Sequence, residues 1–253
     1  MKKITKLAFS LFACILLASC GTPKQFNYMQ DAEVGRIIST QVKDIKLRPD
    51  DKILVFIKSQ DATLTEHFNI WTPNMMNAVT YTIDSKGDID FPMIGKIKVA
   101  GLNREEARTA IKDRIVESYG AKDAVVTLDF ANLHFSVLGE VNHAGQFSIN
   151  QDKITILDGI SMAGDLNIYG VRDNVMVIRP TENGNITYRL NLTSAHDLAN
   201  SPAYYLQQND VIYVPANRMR QRQSTVNGNE LTSMSFWVSL ASLFTTIAVL
   251  IFK

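Results

Sequence analysis

The side chains of this sequence that could perform acid–base chemistry or bind a metal are carboxylates and imidazoles. Three carboxylates lie close together, Asp84, Asp88 and Asp90. Paired carboxylates can hydrolyse glycosidic bonds, and clustered carboxylates can hold calcium. These three surround Ser85-Lys86-Gly87, which has the composition of a tight turn, so we interpret them as solvated turn residues. The histidines are scattered, which favours structural or surface roles over a metal site: His67, His134, His143 and His196.

Motifs of known catalytic sites are also absent from the sequence. The chain has no GxSxG nucleophile elbow, no GxxxxGK[ST] phosphate loop and no HExxH zinc motif. We therefore predict that the protein is not an enzyme and has no catalytic residue, no metal and no cofactor.

One thiol does indicate a reaction, its own acylation. Three lysines precede an apolar stretch from Leu7 to Leu17, which is the pattern of a secretion signal: Lys2, Lys3 and Lys6. The next residues complete Leu17-Ala18-Ser19-Cys20, which resembles the lipobox of bacterial lipoproteins. The resemblance implies cleavage before Cys20 and lipidation of Cys20. A plain signal peptide that contains Cys20 by chance is the alternative.

The charge and cysteine content of the processed chain limit its partners. Cleavage would remove three of the 26 basic residues, leaving 23 against 25 acidic residues, which gives no basis for nucleic-acid binding. It would also remove Cys14, so we expect no disulfide and a core held by packing alone. With 46% hydrophobic and 20% charged residues, the composition is that of a globular protein of one large or two small domains.

The middle of the chain divides into two units of mixed helix and strand. In the first, we predict strands over residues 47–57 and 124–130, a hairpin within 79–95 with Gly87 at positive φ, and a helix that begins at Asn103 with Glu106 completing a capping box. In the second, we predict a short helix that ends at Gly164, and four strands: 135–141, 174–180, 186–192 and 210–216.

The two units also echo each other. Leu47-x-x-Asp50-Asp51-x-Ile53-x-Val55 matches Leu206-x-x-Asn209-Asp210-x-Ile212-x-Val214, and the stretch 95–101 matches 139–145. The echo predicts two small α+β lobes in tandem.

Six segments carry a resemblance to a known family: LRPDDKILVFI (47–57), YTIDSKGDIDFPMIGKIKVAGLNREEARTAI (81–111), FSVLGEVNHAGQFSI (135–149), ITILDGISMAGDL (154–166), VMVIRP (175–180) and LQQNDVIYVP (206–215). In this order they resemble the outer-membrane polysaccharide export lipoproteins, the Wza-like group. The first unit resembles their polysaccharide-export domain and the second a β-grasp-like SLBB domain. Asp50 stands where the family often has glycine, and Ala144 where it often has proline. These departures change turn stiffness more than function.

The last 19 residues form an apolar tail. Residues 235–252 hold ten Leu, Ile, Val or Phe residues and five Ser or Thr residues. As a helix they would extend about 27 Å, close to the core of a thin bilayer. The ten apolar residues would favour insertion by at most about 3 to 6 kcal/mol, and the hydroxyl residues reduce that. We therefore predict a C-terminal amphipathic transmembrane helix.

This helix has two unlike sides. At about 100° per residue, one side carries the small hydroxyl residues Ser235, Ser239, Ser242 and Thr246. The opposite side is bulky and would face lipid: Phe236, Trp237, Leu240, Leu243, Phe244, Ile247, Leu250 and Ile251. The hydroxyl stripe would line a pore in a ring of copies, or pack between helices. A monomeric anchor is the alternative.

The predicted organisation is a signal peptide (1–19), a lipidated leader (20–45), a polysaccharide-export domain (46–131), an SLBB-like domain (132–217), a linker (218–234) and the outer-membrane helix (235–252). The linker is interpreted as a solvated connector, with contact to headgroup phosphates or to an acidic glycan as the alternative. The fold class is α+β, with both lobes periplasmic.

The resemblance implies a ring-forming, lipid-anchored outer-membrane protein that gives capsular or exopolysaccharide a passive channel. Its partners would be copies of itself, in a ring similar to an octamer, the polysaccharide, outer-membrane lipid and an inner-membrane co-polymerase of the tyrosine-kinase type. A periplasmic polysaccharide-binding lipoprotein without a pore is the second hypothesis. A glycan-trimming enzyme is the third, and no group of residues supports it.

Overall fold

The computed structural model describes residues 26–33, 35, 44–72, 75–77, 79–181, 184–225 and 233–252. The predicted signal peptide, Cys20 and Lys253 lie outside the described residues.

The first lobe is built on a short antiparallel sheet. Strand β1 (Lys52–Lys58) lies between β4 (Val79–Thr82) and β7 (Val125–Phe130), and two separate hairpins pair β2 (Ile70–Thr72) with β3 (Met75–Asn77) and β5 (Asp88–Phe91) with β6 (Gly95–Lys98). Alternate residues of β1 are buried, as the pleat requires: Ile53, Val55 and Ile57.

Two helices complete this lobe, α1 (Ala62–Phe68) and α2 (Arg104–Tyr119). The predicted capping box of α2 is confirmed. The Asn103 side chain accepts from the backbone N–H of Glu106, and the Glu106 carboxylate accepts from that of Asn103, both at 2.9 Å. The helix buries one face against the sheet: Ala107, Ile111 and Ile115.

The second lobe is a mixed five-stranded sheet in the order β11-β10-β12-β8-β9. Strands β8 and β12 are parallel and all other neighbours are antiparallel. The strands are β8 (His134–Gly139), β9 (Gly145–Ser148), β10 (Val175–Thr181), β11 (Gly184–Leu190) and β12 (Val211–Val214); the helices are α3 (Ile156–Met162) and α4 (Ala195–Asn200). The predicted α+β fold class is confirmed, and the buried core is continuous through both lobes.

The predicted hairpin within residues 79–95 is wrong in its pairing. The turn itself is present: Gly87 has φ +86, and a Cβ there would lie 2.6 Å from that of Ala100. The flanking strands, however, do not pair with each other. Strand β4 pairs with β1, whereas β5 pairs with β6. The backbone of Gly87 instead accepts from Val99 and Ala100, which closes the β5–β6 hairpin onto the turn.

The first sequence echo, between residues 47–55 and 206–214, corresponds to the same turn conformation in both lobes. Asp50 and Asn209 have φ +71 and +64, the conformation that glycine adopts most easily. In each copy the next residue, Asp51 or Asp210, accepts a 2.8 Å hydrogen bond from the backbone N–H three residues earlier. The second echo is not structural, since Gly95 begins strand β6 while Gly139 ends strand β8.

Helix α5 (Arg218–Gln223) lies in the predicted linker, and helix α6 (Met234–Phe252) contains the predicted tail helix. Of the helices in the described part of the chain, none combines the length and the apolar content that a membrane crossing needs. The predicted transmembrane span is therefore not supported. Five hydroxyl residues among positions 235–252 lower its apolar content.

Candidate functional site

Helix α6 carries most of the predicted site residues. Its regular helical geometry brings Ser235, Ser239, Ser242 and Thr246 to one side, as the spacing predicts. Bulky side chains on the rest of the helix are exposed, among them Trp237, Leu243, Phe244, Ile247 and Leu250. The side chain of Ile251 lies outside the described ones.

The threonine hydroxyls of α6 are satisfied within the helix. Thr246 donates to the backbone oxygen of Ser242 at 2.9 Å, and Thr245 donates to that of Ala241 at 2.8 Å. Such back-bonding lets a hydroxyl lie in an apolar surrounding without an unpaired donor. This part of the stripe can therefore contact a neighbouring helix as well as water.

A polar junction joins the two copies of the repeated turn. The Arg48 guanidinium donates to the side-chain amide oxygen of Gln207, so the turn before β1 contacts the turn before β12. Ion pairs also cross between the lobes: Arg104 Nε lies 2.6 Å from an Asp152 oxygen, and Lys153 Nζ lies 3.3 Å from one of Asp44. Exposed pairs of this kind contribute little each, so the shared core carries most of the junction.

A groove of about 640 Å³ opens beside this junction. Its lining combines charged, amide and apolar groups: Asp44, Ile45, Lys46, Leu47, Arg48, Pro49, Ala100, Gly101, Asn103, Gln207 and Gln208. Amide and guanidinium groups can hydrogen-bond sugar hydroxyls, so the groove has the chemistry of a weak glycan contact.

The buried aspartates of the two repeated turns, Asp210 and Asp51, differ in whether a buried cation pairs with them. Asp210 is fully buried and accepts from Arg179 through Nε at 2.9 Å and through a terminal nitrogen at 2.8 Å. The Arg179 guanidinium also donates to the backbone oxygens of Pro202 and Tyr205. Asp51 is also buried but has no such ion pair among the described residues. Burial consequently raises the pKa of Asp51.

The leader contacts the second lobe, which the sequence did not predict. The backbone N–H groups of Met29 and Gln30 donate to the carbonyl oxygens of Leu192 and Thr193. Asp31 accepts from the Ala195 backbone N–H and from the Ser194 hydroxyl at the start of α4. These hydrogen bonds lower the pKa of Asp31.

Aromatic side chains hold the leader at its other end. The Arg172 guanidinium carbon lies 4.8 Å from the ring centroid of Phe26 and 5.5 Å from that of Tyr28. Tyr28 also donates to Asp165, and burial raises the pKa of Tyr28. Alternating aromatics in a polar segment were the only signal of this contact in the sequence.

Of the three carboxylates that resembled a catalytic or calcium site, Asp84 holds the turn, and Asp88 and Asp90 lie in strand β5 directly after it. Asp84 accepts from the backbone N–H groups of Lys86 and Asp88, each at 2.9 Å, and pairs with Lys96 Nζ at 2.9 Å. Hydrogen bonding from Lys96 lowers the pKa of Asp84 to about 2. Within the described ranges, no three His, Cys, Asp or Glu residues are grouped as metal ligands.

Comparison with known proteins gives two family matches. Residues 39–131 match the family described as polysaccharide biosynthesis/export protein, and residues 133–214 match the SLBB domain. Two curated relatives are each named "EPS I polysaccharide export outer membrane protein EpsA". The one from Ralstonia solanacearum is 36% identical over 100 residues, and the one from Ralstonia nicotianae is 37% identical over 90 residues.

These alignments cover 38% and 34% of this chain, and 25% and 23% of the relatives. The chain thus aligns with about a quarter of the length of these relatives. Both relatives are named as export proteins rather than as enzymes.

Proposed function

Because the chain belongs to the polysaccharide export protein family, we propose that it is an outer-membrane lipoprotein that gives capsular or exopolysaccharide a passive path out of the cell. The observation that carries the proposal is the order of parts. An export domain and an SLBB domain come first, and an exposed helix with two unlike sides follows them.

The two sides of α6 support the proposal that copies of the chain assemble into a ring. A single helix cannot enclose a path for a glycan, whereas several copies can surround one. In a ring, the bulky side faces lipid and the hydroxyl stripe faces neighbouring helices or the opening. Weak polar contacts along the path suit transport, since tight binding would hold the glycan in place.

Lipidation at Cys20 and the partners complete the proposal. Acyl chains on Cys20 would hold the periplasmic body at the outer membrane, so that α6 meets the bilayer from the periplasmic side. Synthesis of the glycan and an inner-membrane co-polymerase would supply the energy, as the resemblance to the export lipoproteins implies.

The groove at the lobe junction favours a second candidate, a polysaccharide-binding lipoprotein without a pore. The two candidates make opposite predictions for the tail. Deleting residues 235–253 would leave a binder functional, because the groove lies in the body. The same deletion would abolish export by a conduit while the body still folds.

Projection images of the full chain extracted in mild detergent test the conduit directly. We expect closed rings, and strictly monomeric particles would refute the proposal. Ser242→Leu puts bulk on the hydroxyl stripe and should reduce both ring formation and export. Ala241→Leu adds similar bulk one position away and is the matched control. Equal effects of the two substitutions would argue against a specialised stripe.

A further inference from the structure

Helix α5 is a short basic element with no acidic residue. It reads Arg218-Met-Arg220-Gln-Arg222-Gln. Arg220 has partners in the body, since its Nε lies 3.3 Å from a Glu140 oxygen and its guanidinium carbon lies 5.2 Å from the Tyr169 ring centroid. Arg218 and Arg222 are exposed, and neither pairs with an acidic side chain in the described part of the chain. The body therefore neutralises one arginine of α5 and leaves two to solvent.

These two arginines point in a common direction. They are four residues apart, so they lie on the same side of the helix, away from Arg220. Arg222 Nε donates to the Arg218 carbonyl oxygen at 3.3 Å, and among the described residues no side chain accepts from the terminal nitrogens of either guanidinium group. Met219 is 55% exposed beside them. A pair of free guanidinium groups next to an exposed thioether suits an anionic surface with an apolar layer beneath it.

The helix is held firmly against the second lobe. The Asn217 backbone N–H donates to the Tyr169 carbonyl oxygen at 2.8 Å, and its side chain caps α5 by accepting from the Arg220 backbone N–H at 2.9 Å. Gly170 and Ala216 form an isolated β-bridge just before it. Segment 169–172 thus fixes the position of α5.

The same segment also receives the other end of the chain. Phe26 of the leader stacks on Arg172, three residues after Tyr169. Phe26 follows Cys20 by six residues, which can reach at most about 20 Å. Thr225 precedes Ser233, the residue before α6, by eight residues, which can reach at most about 28 Å. Both proposed membrane attachments therefore leave the body close to α5.

We infer that Arg218 and Arg222 bind the headgroup phosphates of anionic phospholipids in the leaflet that holds the Cys20 acyl chains. The inference rests on the proposed function for the attachment of the body to the outer membrane. A guanidinium group matches a phosphate diester with two parallel hydrogen bonds. Lipid is favoured over an acidic glycan because α5 lies between the two attachments rather than at the groove of the lobe junction.

Vesicle partitioning of the full chain tests the inference. The measured quantity is the ratio of the partition coefficient into phosphatidylglycerol vesicles to that into phosphatidylcholine vesicles. The apolar contribution of α6 is similar for both lipids, so it cancels in this ratio. The variant carrying Arg218→Gln and Arg222→Gln should lower this ratio by about 30-fold. A control carrying Arg108→Gln and Lys112→Gln removes the same charge, at the same spacing, from helix α2 and should leave the ratio nearly unchanged. The ratio of the unaltered protein should fall as salt is added.

An unchanged ratio in the α5 variant, or an equal fall in the α2 control, would overturn the inference. The α5 variant in detergent micelles is also tested for binding to soluble polygalacturonate. If it loses this binding while the lipid ratio stays unchanged, the arginines contact an acidic glycan and the inference is overturned. Projection images of the same variant separate this test from that of the proposed function. Intact rings with an unchanged ratio would refute only the lipid contact, and a lowered ratio without rings would refute only the conduit.

Discussion

Replacing each of the two turn carboxylates by asparagine should have very different effects on stability. Asp210→Asn keeps the shape of the side chain but leaves the Arg179 guanidinium, which is 7% exposed, without its counter-charge. Loss of one partner from a buried ion pair costs about 3 to 5 kcal/mol. Asp51→Asn keeps an acceptor for the Arg48 N–H and removes no ion pair. We expect that variant to stay within about 1 kcal/mol of the unaltered protein.

The pH dependence of the Asp51 variant has a definite sign. Burial raises the pKa of Asp51 above its usual value of 3.8, so the folded state holds the proton more tightly than the unfolded state. The carboxylate therefore lowers stability as pH rises from 3.8 through the raised pKa, and costs nothing below that window. At neutral pH, Asp51→Asn should be as stable as the unaltered protein or more stable, and the difference should vanish in acid.

Urea unfolding of the full chain in non-ionic detergent, followed by circular dichroism, measures both variants. For a slope of about 2 kcal/mol per molar urea, Asp210→Asn should lower the midpoint of the transition by about 2 M. The double variant with Arg179→Met and Asp210→Leu should recover part of this loss, because it leaves no buried charge unpaired. The recovery stays partial because the Gln207 N–H and the Pro202 and Tyr205 carbonyls lose their partners. Equal losses for Asp210→Asn and Asp51→Asn would refute the reasoning, since they would show that the turn rather than the ion pair matters.

Three further outcomes concern local features of the body. Gly139→Ala should lower the free energy of unfolding by at least about 2 kcal/mol, because the φ of Gly139 is +93 and a Cβ there would lie 2.0 Å from a backbone oxygen. Gly145→Ala is the control: a Cβ there meets open space, so the same urea titration should show a change of less than about 1 kcal/mol. Tyr81→Phe should leave the melting temperature unchanged or raise it, since the buried Tyr81 hydroxyl has no hydrogen-bond partner in the described part of the chain. Asp84→Asn should reduce the loss of stability in acid. The pKa of Asp84 is lowered to about 2, so its carboxylate stabilises the fold above pH 3.8 and loses that effect as pH falls through 2. Comparing the urea unfolding midpoints of both proteins at pH 7 and pH 2 measures this difference.

Local structure was predictable here because local contacts determine it. The capping box of α2 depends on two residues three positions apart, Asn103 and Glu106, and it is present as predicted. The turn around Gly87 depends on five neighbouring residues and is also present. The echo between the turns at Asp50 and Asn209 was visible because a left-handed residue followed by a buried aspartate leaves the same pattern twice.

Contacts between distant segments were not predictable from the same patterns. In the structure β4 pairs with β1, and β5 pairs with β6. The alternation of apolar residues along β4 and β5 would be the same if these two strands paired with each other, so the sequence pattern does not distinguish the two arrangements. The Arg179–Asp210 pair joins residues 31 positions apart, and no spacing rule links them. The leader shows no strong periodicity in the sequence, yet Phe26, Tyr28 and Asp31 hold its described residues 26–33 against the second lobe.

The distribution of exposed apolar surface is the reason for placing the proposed contacts between copies on helix α6. The apolar side chains of the body are mostly buried in one continuous core, so folding already uses them. Helix α6 instead exposes several large apolar side chains along its length, including Trp237, Phe244 and Leu250. Apolar surface in contact with water is unfavourable by about 25 cal/mol for each Å², and in the proposed assembly lipid and other copies would cover it. On the other side, Thr246 donates to the backbone of its own helix, so in the proposed ring that side could meet a neighbouring helix or water at little cost.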